Sequence, residues 1–148
     1  MIQRIQTIFL ALAAGLLGSL YSLPLLTTTP DVGYAEASVL GDQVFNLQDH
    51  LGIMLPLLIA AVLSLAAIFL FKKRPIQIRI STIAIVLTVL GIGFGAYLLF
   101  QSKAFELGGL QASVFVSFPL LAIIVLLLAN RFIRKDENTV RSAYSRLR

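Results

Sequence analysis

Long apolar runs alternate along this chain with short stretches that hold all of its charges. Between Arg4 and Asp31 lie 26 residues without a charge or histidine, between His50 and Lys72 lie 21, between Arg79 and Lys103 lie 23, and between Glu106 and Arg131 lie 24. A helix needs roughly 20 mainly apolar residues to cross the ~30 Å hydrocarbon layer, so each run is long enough to span once. The predicted spans are residues 5–26, 51–71, 80–101 and 108–130. They leave outer loops at 27–49 and 102–107, a cytoplasmic loop at 72–79 and a cytoplasmic tail at 131–148. The helices of a soluble bundle keep a polar face toward water. Residues 51–71 and 80–100 have no such face, and a composition of 58% hydrophobic residues with mean hydropathy +0.92 agrees. The expected fold class is an all-α integral membrane protein, a bundle of four transmembrane helices forming one domain over residues 1–148.

Charge then orients the bundle. Of the 12 Lys and Arg residues, only Lys103 falls in an outer loop. Arg4 precedes the first span; Lys72, Lys73, Arg74 and Arg79 follow the second; Arg131, Arg134, Lys135, Arg141, Arg146 and Arg148 follow the fourth. The 27–49 loop has Asp31, Glu36, Asp42 and Asp49 and no basic residue. Basic residues in short flanks stay on the cytoplasmic side during insertion, which predicts both termini inside. An even number of spans independently requires the same. The net charge of +5 follows from this bias and is no argument for nucleic acid, and the absence of Cys excludes disulfides and thiol chemistry. A cleavable signal is the competing reading of the first span, with Ala35-Glu36-Ala37 as its A-x-A site. Its apolar run is about twice the usual length of a signal core, and the A-x-A lies nine residues past Leu26. A retained span is therefore expected.

The second and fourth spans match at an offset of 63: Pro56-Leu57-Leu58 with Pro119-Leu120-Leu121, Val62-Leu63 with Val125-Leu126, Phe69 with Phe132 and Lys72 with Lys135. The first and third open alike at an offset of 75, Arg4-Ile5 and Thr7-Ile8 against Arg79-Ile80 and Thr82-Ile83. This suggests a duplicated helical hairpin, a parallel repeat about an axis along the membrane normal. The alternative is that Leu-rich spans match by composition alone. Small residues recur four apart, at Ala11/Gly15 and Ala14/Gly18 in the first span and Gly91/Gly95 in the third. Such spacing lets two backbones approach closely in lipid, either inside the bundle or against a partner's helix. Pro24, Pro56 and Pro119 lie toward the outer ends of spans, where they kink or end helices.

Candidate chemistry changes this picture little. No ionisable residue lies in the middle of any span, whereas ion-coupled carriers and proton relays place such groups there. His50 beside Asp49 could orient a base, but a nucleophile and oxyanion donors would have to join it. With Asp42 these residues fall short of a metal ligand set, and neither a cofactor nor a metal is expected. The 27–49 loop carries Val39, Leu40, Val44, Phe45 and Leu47, which either fold back over the helices or meet a partner. In the tail, Ile133, Val140, Tyr144 and Leu147 share one helix face, flanked by Arg134, Lys135, Arg141 and Arg148. That is a basic amphipathic helix suited to lie along the anionic inner leaflet.

The opening MIQRIQT (residues 1–7), KKRPIQIRI (72–80) and ANRFIRKDENTVRSAYSRL (129–147) resemble the DUF4293 family along the whole chain. The resemblance implies a small four-span protein of the inner membrane of Bacteroidota, and it implies no activity. Where the family closes with an acidic residue in RSADRLR, this chain has Tyr144-Ser145 and is one residue longer, so a contact made by that acid does not carry over.

The leading functional expectation is a non-catalytic accessory subunit or assembly factor of a bacterial inner-membrane complex of secretion, envelope or respiratory machinery. Its partners would be other integral membrane subunits or further copies of this chain. Gly15, Gly18, Gly91 and Gly95 are the candidate helix-packing or docking residues; Lys72, Lys73, Arg74, Arg79, Arg134, Lys135 and Arg141 form the candidate basic face toward anionic lipid or partner. The alternative is a transporter or flippase for an uncharged or lipid-like substrate. An integral-membrane enzyme has the least support.

Overall fold

A computed structural model describes residues 2–29, 40, 42–102 and 110–146, with side chains described from residue 5 to residue 138 within that set. Among the described residues there are four α-helices: α1 (Ile2–Ser19), α2 (Leu51–Phe69), α3 (Arg74–Gln101) and α4 (Phe118–Arg146). Three short strands, β1 (Leu26–Thr28), β2 (Val44–Phe45) and β3 (Leu110–Ala112), and 3-10 turns at Leu47–Asp49 and Val114–Ser117 complete the description. The helices form a closed ring in which α1 packs on α2, α2 on α3, α3 on α4 and α4 on α1, with α2–α3 and α1–α4 the more extensive seams. Three segments, Leu51–Phe69, Arg74–Gln101 and Val114–Asn138, are long and apolar enough to cross a membrane; Ile5–Ser19 is a shorter apolar helix.

The inward faces are built from small side chains. Ala13, Ala60, Ala67, Ala84, Ala122, Ala129, Ser64 and Ser81 are fully buried, whereas Ile8, Leu51, Phe69, Leu90 and Phe100 lie on the outside, Phe69 and Phe100 with 80% and 77% exposure. Leu10, Leu17, Ile53, Leu57, Leu126 and Ile133 are buried with the small residues, which let the helices close around a limited set of large ones. Gly91 shows how tight the fit is, since a Cβ there would come within 2.8 Å of Leu57 Cγ on α2.

The expectation of an all-α chain needs a correction at one end of the bundle. A three-stranded antiparallel sheet in the order β2-β1-β3 closes that end, with Leu26 opposite both Phe45 and Ala112. Flanking bonds extend it: Leu25 N donates to Phe45 O at 2.9 Å, and Ser113 N to Leu25 O at 3.2 Å. Leu20, Leu25, Leu26, Leu40, Phe45 and Leu47 are buried beneath it in the same core as the helices. The described part of the 27–49 loop therefore folds back over the bundle, while Ala35-Glu36-Ala37 lies outside the described residues.

Four boundaries also move. The first helix stops at Ser19 rather than at residue 26, because Tyr21 N and Ser22 N bond back to Gly18 O and Ser19 O in tight turns. Pro24 then bars a return to helix. The 72–79 loop is shorter than expected: residues 70–73 make the turn and α3 begins at Arg74 with Pro75 in its first turn, where the missing N–H costs nothing. The last helix starts at Phe118, not 108, after β3 and a 3-10 turn. The tail is not a separate helix bent away from it, since α4 runs unbroken to Arg146, about 43 Å at 1.5 Å per residue. Pro56 sits early in α2 without ending it.

Burial repeats between the two hairpins, at other offsets than residue identity suggests. Gln6, Leu10, Ala13 and Leu17 correspond at 71 to Gln77, Ser81, Ala84 and Thr88, all buried. Leu57, Ala60, Ser64 and Ala67 correspond at 62 to Pro119, Ala122, Leu126 and Ala129, again all buried. The helix caps keep the offset of 63: the side chain of His50 accepts from Gly52 N and that of Ser113 from Phe115 N. The slip of one residue has a geometric cause. Four residues of 3-10 turn before α4 overwind the chain by about 80° relative to α-helix, close to the 100° of one residue.

The α2 cap is a testable part of this scheme. His50 Nδ1 accepts Gly52 N at 3.0 Å, so His50→Ala is expected to cost about 1 kcal/mol and His50→Asn much less. Thermal unfolding in detergent micelles measures both.

Candidate functional site

The bundle end opposite the sheet gathers the basic residues. The turn at 70–73 is closed by Leu70 N to Ala67 O and Lys73 N to Leu70 O, and Lys73 O accepts the first amides of α3, Ile76 N and Gln77 N. Lys72 and Lys73 project from this turn, Lys72 Nζ lying 5.9 Å from the centre of the Phe71 ring. Arg79 is exposed on α3, and Arg131, Arg134 and Lys135 are exposed on α4. Arg141 is on the same helix, with its side chain outside the described set.

Arg74 differs from its neighbours. Its guanidinium lies 2.7 Å from Asp136 Oδ2, with the two side chains only 22% and 15% exposed. This pair ties the α2–α3 turn to α4 and withdraws Arg74 from the exposed basic face. Asn130 Nδ2 donates to Thr82 Oγ1 at 3.3 Å, a second link from α4 to α3, and Gln77 Nε2 donates to Ala67 O at 3.0 Å, linking α3 to α2. Phe9 stacks on Phe132 across the α1–α4 seam with ring centres 5.5 Å apart.

The four glycines divide into two pairs. Gly91 and Gly95 face α2, where Leu57 and Ile53 fill the space beside them. They are occupied within the bundle. Gly15 and Gly18 are exposed on α1 and a Cβ at either would meet nothing within 4 Å. Sequence reasoning separated these pairs only by position, because a Gly-x-x-x-Gly spacing does not say which neighbour uses it.

At the sheet end, His50 and Asp49 are engaged with backbone rather than with each other. His50 Nδ1 takes Gly52 N, while Asp49 Oδ2 accepts Asn46 N at 2.6 Å. Partial burial pushes the Asp49 carboxyl above its usual 3.8, against the lowering effect of that bond. The His50 ring lies 5.0 Å from Phe94. Among the described residues no three His, Cys, Asp or Glu side chains are close enough to hold a metal ion.

Sequence reasoning looked for ionisable groups inside the spans and passed over the amides. Gln6, Gln77 and Asn130 are buried polar residues at the basic end. A search for Asn and Gln within or bordering the apolar runs would have found them, though not their partners.

The profile of the family described as Domain of unknown function (DUF4293) matches residues 2–147, nearly the whole chain, and the chain belongs to that family. No curated protein and no solved structure matches it.

Two measurements check the electrostatics. A double-mutant cycle on Arg74→Met and Asp136→Asn is expected to give a coupling of about 1–3 kcal/mol, because the pair is mostly buried. For Asp49, the raised pKa means the folded state binds its proton more tightly than the unfolded chain. Its contribution is most favourable below 3.8 and declines as pH rises through the raised value. Asp49→Asn keeps an acceptor for Asn46 N, and unfolding across this window should show that pH dependence removed, with a change at neutral pH within about 0.5 kcal/mol.

Proposed function

We propose that this DUF4293 protein crosses the bacterial inner membrane four times, with both termini and the basic end in the cytoplasm, and acts there as a non-catalytic accessory subunit or assembly factor. The observation that carries this reading is the contrast between the glycine pairs. Gly91 and Gly95 are filled by α2, whereas Gly15 and Gly18 leave α1 with a flat, small-residue strip on the outside of the bundle. Such a strip admits the close approach of another helix, which in hydrocarbon is the main source of association.

The remaining features fit the same setting. Exposed Tyr21 and Tyr97 near the sheet end suit the membrane interface, where amphipathic rings collect. Lys72, Lys73, Arg79, Arg131 and Arg134 at the other end suit an anionic leaflet, with attraction of about 1 kcal/mol per basic residue. Because α4 continues unbroken to Arg146, the basic residues of its last turns are open to a partner as well as to lipid. A passage for an uncharged substrate is the second reading, favoured by the buried amides at the basic end.

The test is purification in mild detergent. A stoichiometric membrane partner is expected, lost on Gly15→Leu with Gly18→Leu while the bundle keeps its thermal stability, because a Cβ at either position meets no described atom within 4 Å. Gly91→Leu should lower stability by about 1–3 kcal/mol through the clash with Leu57. A self-contained oligomer with a polar central cavity, unaffected by the α1 substitutions, would favour passage of a substrate instead.

A further inference from the structure

The exposed arginines of the basic end are not spread evenly over its surface. α3 and α4 run antiparallel, and two polar contacts fix their register: Asn130 Nδ2 to Thr82 Oγ1 at 3.3 Å and Arg74 to Asp136 at 2.7 Å. Arg79 lies three residues from Thr82, and Arg131 and Arg134 lie one and four residues beyond Asn130. At 1.5 Å per residue all three fall within about 6 Å of the Thr82–Asn130 contact along the helix axes, on its side toward the α2–α3 turn.

The three also share a seam. Arg79, Thr82, Val86 and Val89 recur at three and four residues and form one exposed row on α3. Arg134, Arg131, Leu127, Ile124 and Leu120 form such a row on α4. Thr82 belongs to the first row and touches Asn130, which stands about one turn from Leu127 in one direction and from Arg134 in the other. Both rows therefore border the α3–α4 seam, the least extensive of the four.

Chemistry changes along this seam at one level. Toward the turn it carries the three guanidinium groups. Among the described residues neither Asp136, which is paired with Arg74, nor half-buried Glu137 forms an ion pair with them. Toward the sheet end it carries Val86, Val89, Leu127, Ile124 and Leu120, all exposed. These are bulky side chains, unlike Gly15 and Gly18 on α1, and they hold another helix backbone at a distance. A flexible chain lies over them without that restriction. Positive charge with an apolar row running about 10 Å from it matches a phospholipid, whose phosphate sits at the surface and whose acyl chains point toward the bilayer centre. Each guanidinium offers a phosphate two parallel N–H donors, and arginines on both helices hold it from either side of the seam.

We propose that Arg79, Arg131 and Arg134 form a headgroup site for an anionic phospholipid on the α3–α4 seam, with an acyl chain lying along Val86, Val89, Leu127 and Ile124. The site rests on the reading that the basic end meets an anionic leaflet, and it goes beyond it by selecting three of the basic residues and one seam.

Native mass spectrometry of the full-length protein, titrated in detergent micelles with phosphatidylglycerol or phosphatidylcholine, counts bound lipid directly. Phosphatidylglycerol is expected to bind more tightly, because choline neutralises the charge of the other headgroup. Arg79→Gln with Arg131→Gln should weaken phosphatidylglycerol binding about tenfold, since charge-assisted contacts from both helices are lost. Lys72→Gln with Lys73→Gln, the same loss of charge, should leave it nearly unchanged. Equal losses from the two pairs would mean attraction by the whole basic end and would overturn the site. So would equal binding of the two lipids, or an effect of the arginine pair confined to a co-purified protein partner. Should that pair not fold, Arg79→Gln with Arg134→Gln is read in its place with the same expectation. The measurement needs neither a partner nor an oriented membrane. Its failure therefore leaves the accessory-subunit reading to the Gly15 and Gly18 substitutions, and failure of that reading leaves this site standing.

Discussion

Close approach of helix backbones is the constraint on which the rest of this structure depends. In hydrocarbon there is no gain from removing Leu or Phe from the solvent, so helices associate through dispersion contacts and hydrogen bonds between them. Both need short distances. The buried faces accordingly read Ala13, Ala60, Ala84, Ala122 and Ala129, with Gly91 set against Leu57 and Gly95 against Ile53. Many large apolar side chains lie on the outside, where they meet whatever surrounds the bundle, while Leu10, Leu17, Ile53, Leu57 and Leu126 fill the space between the close contacts. Ser64, Ser81 and Thr88 fit the same rule: their hydroxyls fold onto their own helix, so they serve as small spacers.

From that centre the two ends diverge. At one end the chain leaves α1 early, and the apolar residues beyond Ser19 turn into β1 and its approach instead of more helix. β1 then pairs with a strand ahead of α2 and a strand ahead of α4, so a single three-residue segment holds both long connections against the bundle. Leu40, Phe45 and Leu47 extend the core into this cap. Among the described residues the opposite end has no sheet. It is held by Arg74–Asp136, Asn130–Thr82 and Gln77–Ala67, each linking α3 to a neighbour. One end is closed by apolar burial and the other by polar bonds, and the exposed charge collects at the second.

Much of this was legible in the chain. Charge-free runs mark the helices because the length needed to cross a bilayer is fixed, and the turn after α2 is marked by Lys72, Lys73 and Pro75. The ends of α1 and α4 were not legible, because residues 20–26 and 108–117 are uncharged and continue the apolar runs. A charge-free run does not say whether helix or sheet continues it. Nor could the spacing of Gly15/Gly18 and Gly91/Gly95 reveal that one pair is filled and the other open. Asp136 reads as one acid in a charged tail, and only the fold brings it to Arg74. The repeat illustrates the limit most clearly. Matching residues align at 63, whereas buried faces align at 62, and the difference lies in a 3-10 turn that no residue pattern announced.

That near-repeat also explains where the bundle is asymmetric. If the two hairpins were alike throughout, α4 would end near Ala129 as α2 ends just after Ala67. The helix that should end there continues instead, carrying Arg131, Arg134 and Lys135 past the level where α2 stops. Extension of one helix thus carries basic charge beyond the last turn of α2. The Arg74–Asp136 pair ties that extended helix to the first turn of α3, so the charge it carries is held against the α2–α3 turn.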